Sequence, residues 1–375
     1  MQNSSLIYLL SIASIALGIM HLEQKRWKIF QFLPGIVLIY ALSMLIAQWA
    51  EWGNDEAITQ SYKLLKNNLL PAMLFLMLLS INFRAFLTMG RSLLIAYTGA
   101  FISLIVSFVF IFWLFGFGTE DSGVFAALSG SWMGGTANML AIGSALHVSE
   151  AQMGYAMIVD SVNYTFWVMS LLSLVVIAPR FNAWSGASMS HNDISDIGCS
   201  CTVGAKRYWL LLTIALAISL LSQIIAMQIE GLSQTTWVVL LATLFGLIGS
   251  QTTLATVNGA EKIANTMLYL LVALIGSRAS FENGGAIVTY IFAGSAILVL
   301  HALFMIALAK IFKLDLFSIG VASLANIGGV ASAPLLAAAY NRSLIGIAVL
   351  MAIMGYLIGT FGGLFVGYLL GSIAS

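Results

Sequence analysis

Apolar stretches long enough to cross a bilayer recur along the whole chain. They run roughly over 5–21, 29–50, 64–82, 92–117, 122–147, 151–178, 208–228, 235–256, 263–277, 286–309, 316–340 and 343–372. About 20 helical residues, each rising about 1.5 Å, cross a hydrocarbon core about 30 Å thick. Lipid offers no partner to an open N–H or C=O, so these runs must be helical. Only 8% of the 375 residues are charged, against roughly 25% in soluble domains. The expected fold class is an all-α polytopic membrane protein. A formal net charge of +1 points to no nucleic-acid partner. The partners expected are the lipid bilayer and a small solute.

The first run carries no basic residues ahead of it, whereas Lys25, Arg26 and Lys28 follow it. That pattern predicts a retained helix with its N-terminus outside, not a signal peptide. The longest polar stretch, 179–207, reads as a cytoplasmic linker between two halves. It holds Cys199, Cys201 and His191. A metal site normally needs three or four ligands, so the cysteines read as reduced loop thiols. No cofactor is expected beyond a coupling ion.

A shift of 194 residues lays one half on the other. MLFLMLLSINFRA (73–85) falls on MLYLLVALIGSRA (267–279), and WMGGTAN (132–138) falls on NIGGVAS (326–332). The predicted division is an N-terminal repeat over 1–178 and a C-terminal repeat over 208–375. If all twelve runs cross, the repeats are parallel. If the fifth and eleventh each enter and return on one side, the repeats are inverted. The positive-inside rule favours inversion. It puts Lys25, Arg26, Lys28, Arg84, Arg91, Arg180, Lys206, Arg207, Lys262, Lys310, Lys313 and Arg342 inside and only Lys63, Lys66 and Arg278 outside. One further crossing within the linker would restore similar parity, so the hairpins are not required by the charges.

Those two runs read LSGSWMGGTANMLAIGSAL (128–146) and SLANIGGVASAPLLAAA (323–339). Glycine costs a helix about 1 kcal/mol relative to alanine, and a proline such as Pro334 about 3. Matched Gly pairs inside apolar runs predict broken helices, and backbone groups freed in a membrane need partners. Transporters built from inverted repeats place substrate at such breaks. The candidate substrate-binding residues are Ser131, Gly134, Gly135, Thr136 and Asn138 in the first break. In the second they are Asn326, Gly328, Gly329 and Ser332. The plainer alternative is close helix packing through small residues.

Asp160 lies inside the run 151–178, where an ionised carboxylate costs at least about 2.5 kcal/mol. Asn163 and Tyr164 follow at helical spacing on the same face. Asp160 and Asn163 are the candidate ion-coupling pair. The repeat partner of Asp160 is Met354, so the second half lacks the carboxylate. His301 suits a proton relay or a structural hydrogen bond. Arg84 and Arg278 suit membrane anchoring. Gln251, Thr252 and Thr253 suit a path lining or helix contacts, and Trp132 a substrate contact or a core filler. There is no G-x-x-x-x-G-K-[ST] motif, and the four histidines are scattered. Neither ATP-driven transport nor an enzyme is expected.

GSWMGGTANMLAIGSAL, MIVDSVNYTFW, SLANIGGVASAPLLAAA and LMAIMGYLIGTFGG (350–363) together resemble the YjcL-like membrane proteins, a family known only as a domain of unknown function. That family is similar to the cation–proton antiporters and bile-acid-type symporters. The resemblance implies inverted repeats, a panel domain (5–50 and 208–256) and a core domain (64–178 and 263–372). It also implies broken helices crossing at midplane, an elevator motion, and a homodimer. Paired carboxylates are absent, since Val159 precedes Asp160. The expected function is secondary active transport of a small polar or anionic organic solute coupled to Na⁺ or H⁺ in the bacterial inner membrane. A Na⁺(K⁺)/H⁺ antiporter and a non-transporting scaffold or sensor are the alternatives.

Overall fold

The computed structural model describes residues 2–25, 30, 35–52, 55–79, 90–187, 205–230, 233–257, 259–278, 285–340 and 344–374. Arg84, His191, Cys199 and Cys201 lie outside the described residues. Among those described, the chain is helical with no strand. The helices are α1 (Gln2–Gln24), α2 (Gly35–Trp49), α3 (Glu56–Leu79), α4 (Arg91–Phe115), α5 (Thr119–Gly134), α6 (Thr136–Ala145), α7 (Glu150–Leu174) and α8 (Ala178–Ser185). They continue as α9 (Ala205–Ala226), α10 (Gln234–Ser250), α11 (Ala260–Gly276), α12 (Ala286–Phe312), α13 (Leu316–Ile327), α14 (Gly329–Tyr340) and α15 (Ile345–Ala374).

Each apolar run of the sequence becomes one helix, except the fifth and eleventh, which become two apiece. Among the described residues six spans are long and apolar enough to cross a membrane: Ser4–Gln24, Arg91–Phe115, Glu150–Ser185, Arg207–Ala226, Ala286–Phe312 and Ile345–Ala374. Their outward faces are apolar too. Val288, Phe292, Val299 and Leu303 of α12 are all more than half exposed, a surface that wants hydrocarbon rather than water.

The chain forms two compact units. The first holds α1–α3, α7 up to Ser161, and α9–α11. Residues 64–79 and 263–276, grouped with the core segments in the sequence expectation, lie in this unit. Its helices close where glycines let backbones approach: a Cβ on Gly246 would stand 3.0 Å from the Phe75 carbonyl oxygen, and one on Gly276 2.5 Å from that of Tyr40. The start of α7 is tied down by polar contacts. Tyr62 Oη donates to Glu150 Oε1 at 2.5 Å, and Lys66 Nζ pairs with the same oxygen at 3.3 Å. Arg278, the expected anchor, donates to the Trp52 carbonyl and to Thr59 Oγ1. Asp160 lies in this unit and is partly exposed.

The second unit holds α4, α5, α6 up to Ile142, the rest of α7, α8 and α12–α15. Its spine is α15, about 45 Å long at 30 residues. Glycines at 355, 359 and 363 mark one face of α15, and Gly130 and Gly134 mark the facing side of α5. This small-residue spacing lets two membrane helices touch backbone to backbone. A Cβ on Gly359 would sit 2.7 Å from Gly134 Cα, and one on Gly363 3.1 Å from Gly130 Cα.

Candidate functional site

Both broken runs fold back on themselves. α5 stops at Gly134, and Gly135 takes φ +84°, a left-handed conformation that suits glycine. A Cβ on Gly130 would lie 3.1 Å from the Asn138 carbonyl oxygen and against the Ile142 side chain. In one straight helix Gly130 and Ile142 would be about 18 Å apart. α6 therefore returns along α5. The second break is alike. Gly329 has φ +60°, Leu336 reaches Gly320, and the rings of Phe317 and Tyr340 are 5.4 Å apart. A continuous rod would separate those two by about 34 Å. The chain breaks at Gly328–Gly329, while Pro334 lies inside α14.

The two hairpins run along α15 from opposite ends. Thr119 donates to the Ala374 carbonyl, then Gly130 meets Gly363 and Gly134 meets Gly359, so α5 is antiparallel to the C-terminal half of α15. The base of the other hairpin, Tyr340 with Phe317, adjoins the N-terminal end of α15. The tips meet at Gly355. A Cβ there would stand 3.2 Å from Gly134 Cα, 3.3 Å from the Met133 carbonyl oxygen and 3.6 Å from that of Ala325.

Tip chemistry differs between the hairpins. In the first, Asn138 is 1% exposed. Its Nδ2 donates to the carbonyls of Gly134 and Gly355, both at 3.1 Å, and its Oδ1 accepts from Thr360 at 2.7 Å. Ser131 is buried, and its carbonyl accepts from the Gly135 N–H at 2.6 Å. Thr136 opens α6 and is partly exposed. Tyr356 lies against Gly135, 3.8 Å from where its Cβ would be. In the second hairpin Asn326 is fully buried and donates through Nδ2 to the Ala322 carbonyl at 2.9 Å. Among the described residues its Oδ1 has no hydrogen-bond partner, and neither has the hydroxyl of the equally buried Ser332. Ser332 Oγ folds onto Gly328, and the Tyr164 ring closes the same spot, 2.6 Å from the position of a Cβ.

The nine predicted substrate residues are thus gathered on two tips around Gly355. Asn163 is not among them. It is buried and bound to α12, donating to the Ile291 carbonyl at 3.3 Å and accepting from Ser295 at 2.7 Å. Trp132 is fully buried edge-on to Phe108, 5.4 Å between centroids.

His301 joins four helices. Its Nδ1 is 2.6 Å from Ser103 Oγ, and its Nε2 is 2.8 Å from Ser323 Oγ. Ser103 already donates to the Ala100 carbonyl, so it accepts from an Nδ1–H. Trp167 Nε1 donates to Ser323 at 3.0 Å, which leaves the Ser323 hydroxyl hydrogen for Nε2. This directed chain holds the neutral Nδ1–H tautomer and ties α13 to α4, α7 and α12. Gly355, Tyr356, Gly359 and Thr360 carry the site without having been singled out as site residues. Their signal was the four-residue glycine spacing in GYLIGTFGG.

The model of a family described as "Protein of unknown function (DUF819)" matches residues 9–373, nearly the whole chain, and the protein belongs to it. No curated protein matches it.

Proposed function

We propose that this member of the DUF819 family is a secondary active transporter for a small polar or anionic organic solute, coupled to a cation gradient. The observation that carries the reading is the meeting of two hairpin tips at Gly355 from opposite ends of α15. A site held between two such tips can be opened to one side by moving one hairpin and to the other by moving its counterpart. The helix ends at each break, with the Asn and Ser side chains beside them, supply the polarity that a solute needs in a low-dielectric interior.

An inverted duplication is part of the proposal. Gly135 and Gly329, the two left-handed glycines, are 194 residues apart, the offset read from the sequence. Asn138 and Ser332, also 194 apart, each fold back onto the glycine four residues earlier. With two re-entrant hairpins the basic residues sort twelve inside to three outside, which supports inversion. The unit that carries both hairpins is the body proposed to move, in an elevator-type cycle, as in the antiporter and bile-acid symporter superfamily. Asp160 on α7 remains the coupling carboxylate proposed for a Na⁺- or H⁺-driven cycle. The setting proposed is the bacterial inner membrane, and the assembly a homodimer.

Reconstituted protein tests this. Proteoliposomes loaded with a Na⁺ or H⁺ gradient are given a mixture of small carboxylates and amino acids, and their contents are read by mass spectrometry. Accumulation of one solute, reduced at least tenfold by Asp160→Asn, is the expected result. Cation–proton exchange with no solute would replace this reading with an antiporter. Neither activity would leave a scaffold.

A further inference from the structure

We infer that the second hairpin tip is the seat of a monovalent alkali cation, held by Asn326 Oδ1 and Ser332 Oγ at the Gly328–Gly329 break. The inference rests on the transporter reading and adds, beside Asp160, an ion seat on residues first read as substrate ligands. Three observations carry it. The first is the pair of unpartnered oxygens. Both side chains are fully buried, yet among the described residues neither oxygen has a hydrogen-bond partner. A buried acceptor without a donor or cation is costly, and the amide is held with its nitrogen spent on Ala322. The second is space. Gly329 is buried, yet a Cβ built on it would meet no atom within 4 Å. The third is the contrast with the first tip, where Asn138, in an equivalent fold-back, has its amide nitrogen and oxygen both engaged.

The donor chemistry selects the ligand. An amide oxygen and a hydroxyl are neutral and do not take up a proton near neutral pH, so this seat does not serve H⁺. No group of three or more His, Cys, Asp or Glu side chains gathers among the described residues. Divalent ions are usually held through carboxylates. Neutral oxygens at a helix break suit a singly charged ion.

The test uses the purified full-length protein in detergent at constant ionic strength, with NaCl, KCl or choline chloride. The melting temperature should rise with NaCl or KCl along a saturating curve and stay flat in choline. Ser332→Ala should shift the half-saturating concentration upward at least tenfold. In choline it should melt at or above the parent, because it deletes an unpaired buried hydroxyl. Asn326→Ala should lose the cation response in the same way. Binding of ²²Na⁺ to the unmodified protein gives a second readout that needs no variant. No cation-specific rise, or a Ser332→Ala curve that overlays the parent, overturns the inference. Solute uptake driven by H⁺ without a cation response sinks the seat and leaves the transporter standing. A cation response without transport does the reverse.

Discussion

The two hairpins share a turn but not its chemistry. Each reverses at a left-handed glycine, and each folds a polar side chain onto the glycine four residues before it. At the first tip that side chain, Asn138, is welded to α15 through Gly355 and Thr360. At the second, Ser332 and Asn326 keep oxygens that no group among the described residues satisfies. The first turn is closed by its own side chains, whereas the second, on the cation inference, is completed by what binds there. Under the proposed duplication two copies could divide their labour in this way, because the glycine turn sets the backbone while the side chains vary freely.

The sharpest way to break that contrast is to add bulk at each turn. A Cβ on Gly134 would collide with the Gly355 carbonyl and the Asn138 amide, whereas one on Gly329 meets open space. Gly134→Leu should cost about 3 kcal/mol or more by overpacking, and little folded protein should survive extraction into detergent. Gly329→Ala carries only left-handed strain, about 1–2 kcal/mol, and should melt a few degrees low. Gly328, the counterpart of Gly134, is itself packed against Ser332 and the Tyr164 ring, so the contrast is confined to Gly329. A Gly329→Ala loss as large as that of Gly134→Leu would show that the space beside Gly329 is filled.

Next in size are the amides. Asn138→Ala removes three hydrogen bonds, each worth about 1 kcal/mol, and leaves the Gly355 carbonyl buried without its donor. A loss of about 3 kcal/mol is expected. Asn326→Ala removes one bond inside its own helix together with an unpaired oxygen, so in choline it should cost under about 1 kcal/mol. Paired thermal melts check both. An Asn326→Ala loss as large as that of Asn138→Ala would show that the second tip is structural after all.

Much of this was legible beforehand. Hydropathy located the apolar helices, because lipid permits little else. Among the described helices it missed only α8, at the start of the stretch read as a linker. The matched Gly-Gly pairs located both breaks. That the broken runs return was only suggested by the charges, since the positive residues sort well when both re-enter but a further crossing in the linker would sort them similarly. The pairing of α5 with α15 was harder, because glycines at 355, 359 and 363 look like any small-residue stripe until a partner lies on them. Satisfaction of polar groups was not legible. Asn138 and Asn326 look alike in sequence, and only the position of Thr360 and the Gly355 carbonyl separates the engaged amide from the one with a spare oxygen. Asn163 shares a helix face with Asp160, which spacing shows, whereas its bond to Ser295 is a contact between distant segments that spacing does not encode.

The smallest expected effect tests whether tip and base of the second hairpin are independent. Asp315 caps α13, accepting from the Ser318 N–H at 2.7 Å and the Ser318 hydroxyl at 3.1 Å. Replacing such a cap by alanine costs about 1 kcal/mol. Along the helix Asp315 is about 16 Å from Asn326, and effects at sites more than about 10 Å apart without shared partners normally add. Asp315→Ala should therefore lower the melting temperature by the same amount in sodium, potassium and choline, with the half-saturating cation concentration unmoved. A drop that shrinks when the alkali cation is present would mean that filling the tip tightens the whole hairpin down to its cap. The second hairpin would then behave as one cooperative, ligand-ordered element, while the first stays rigid with its polar groups already paired.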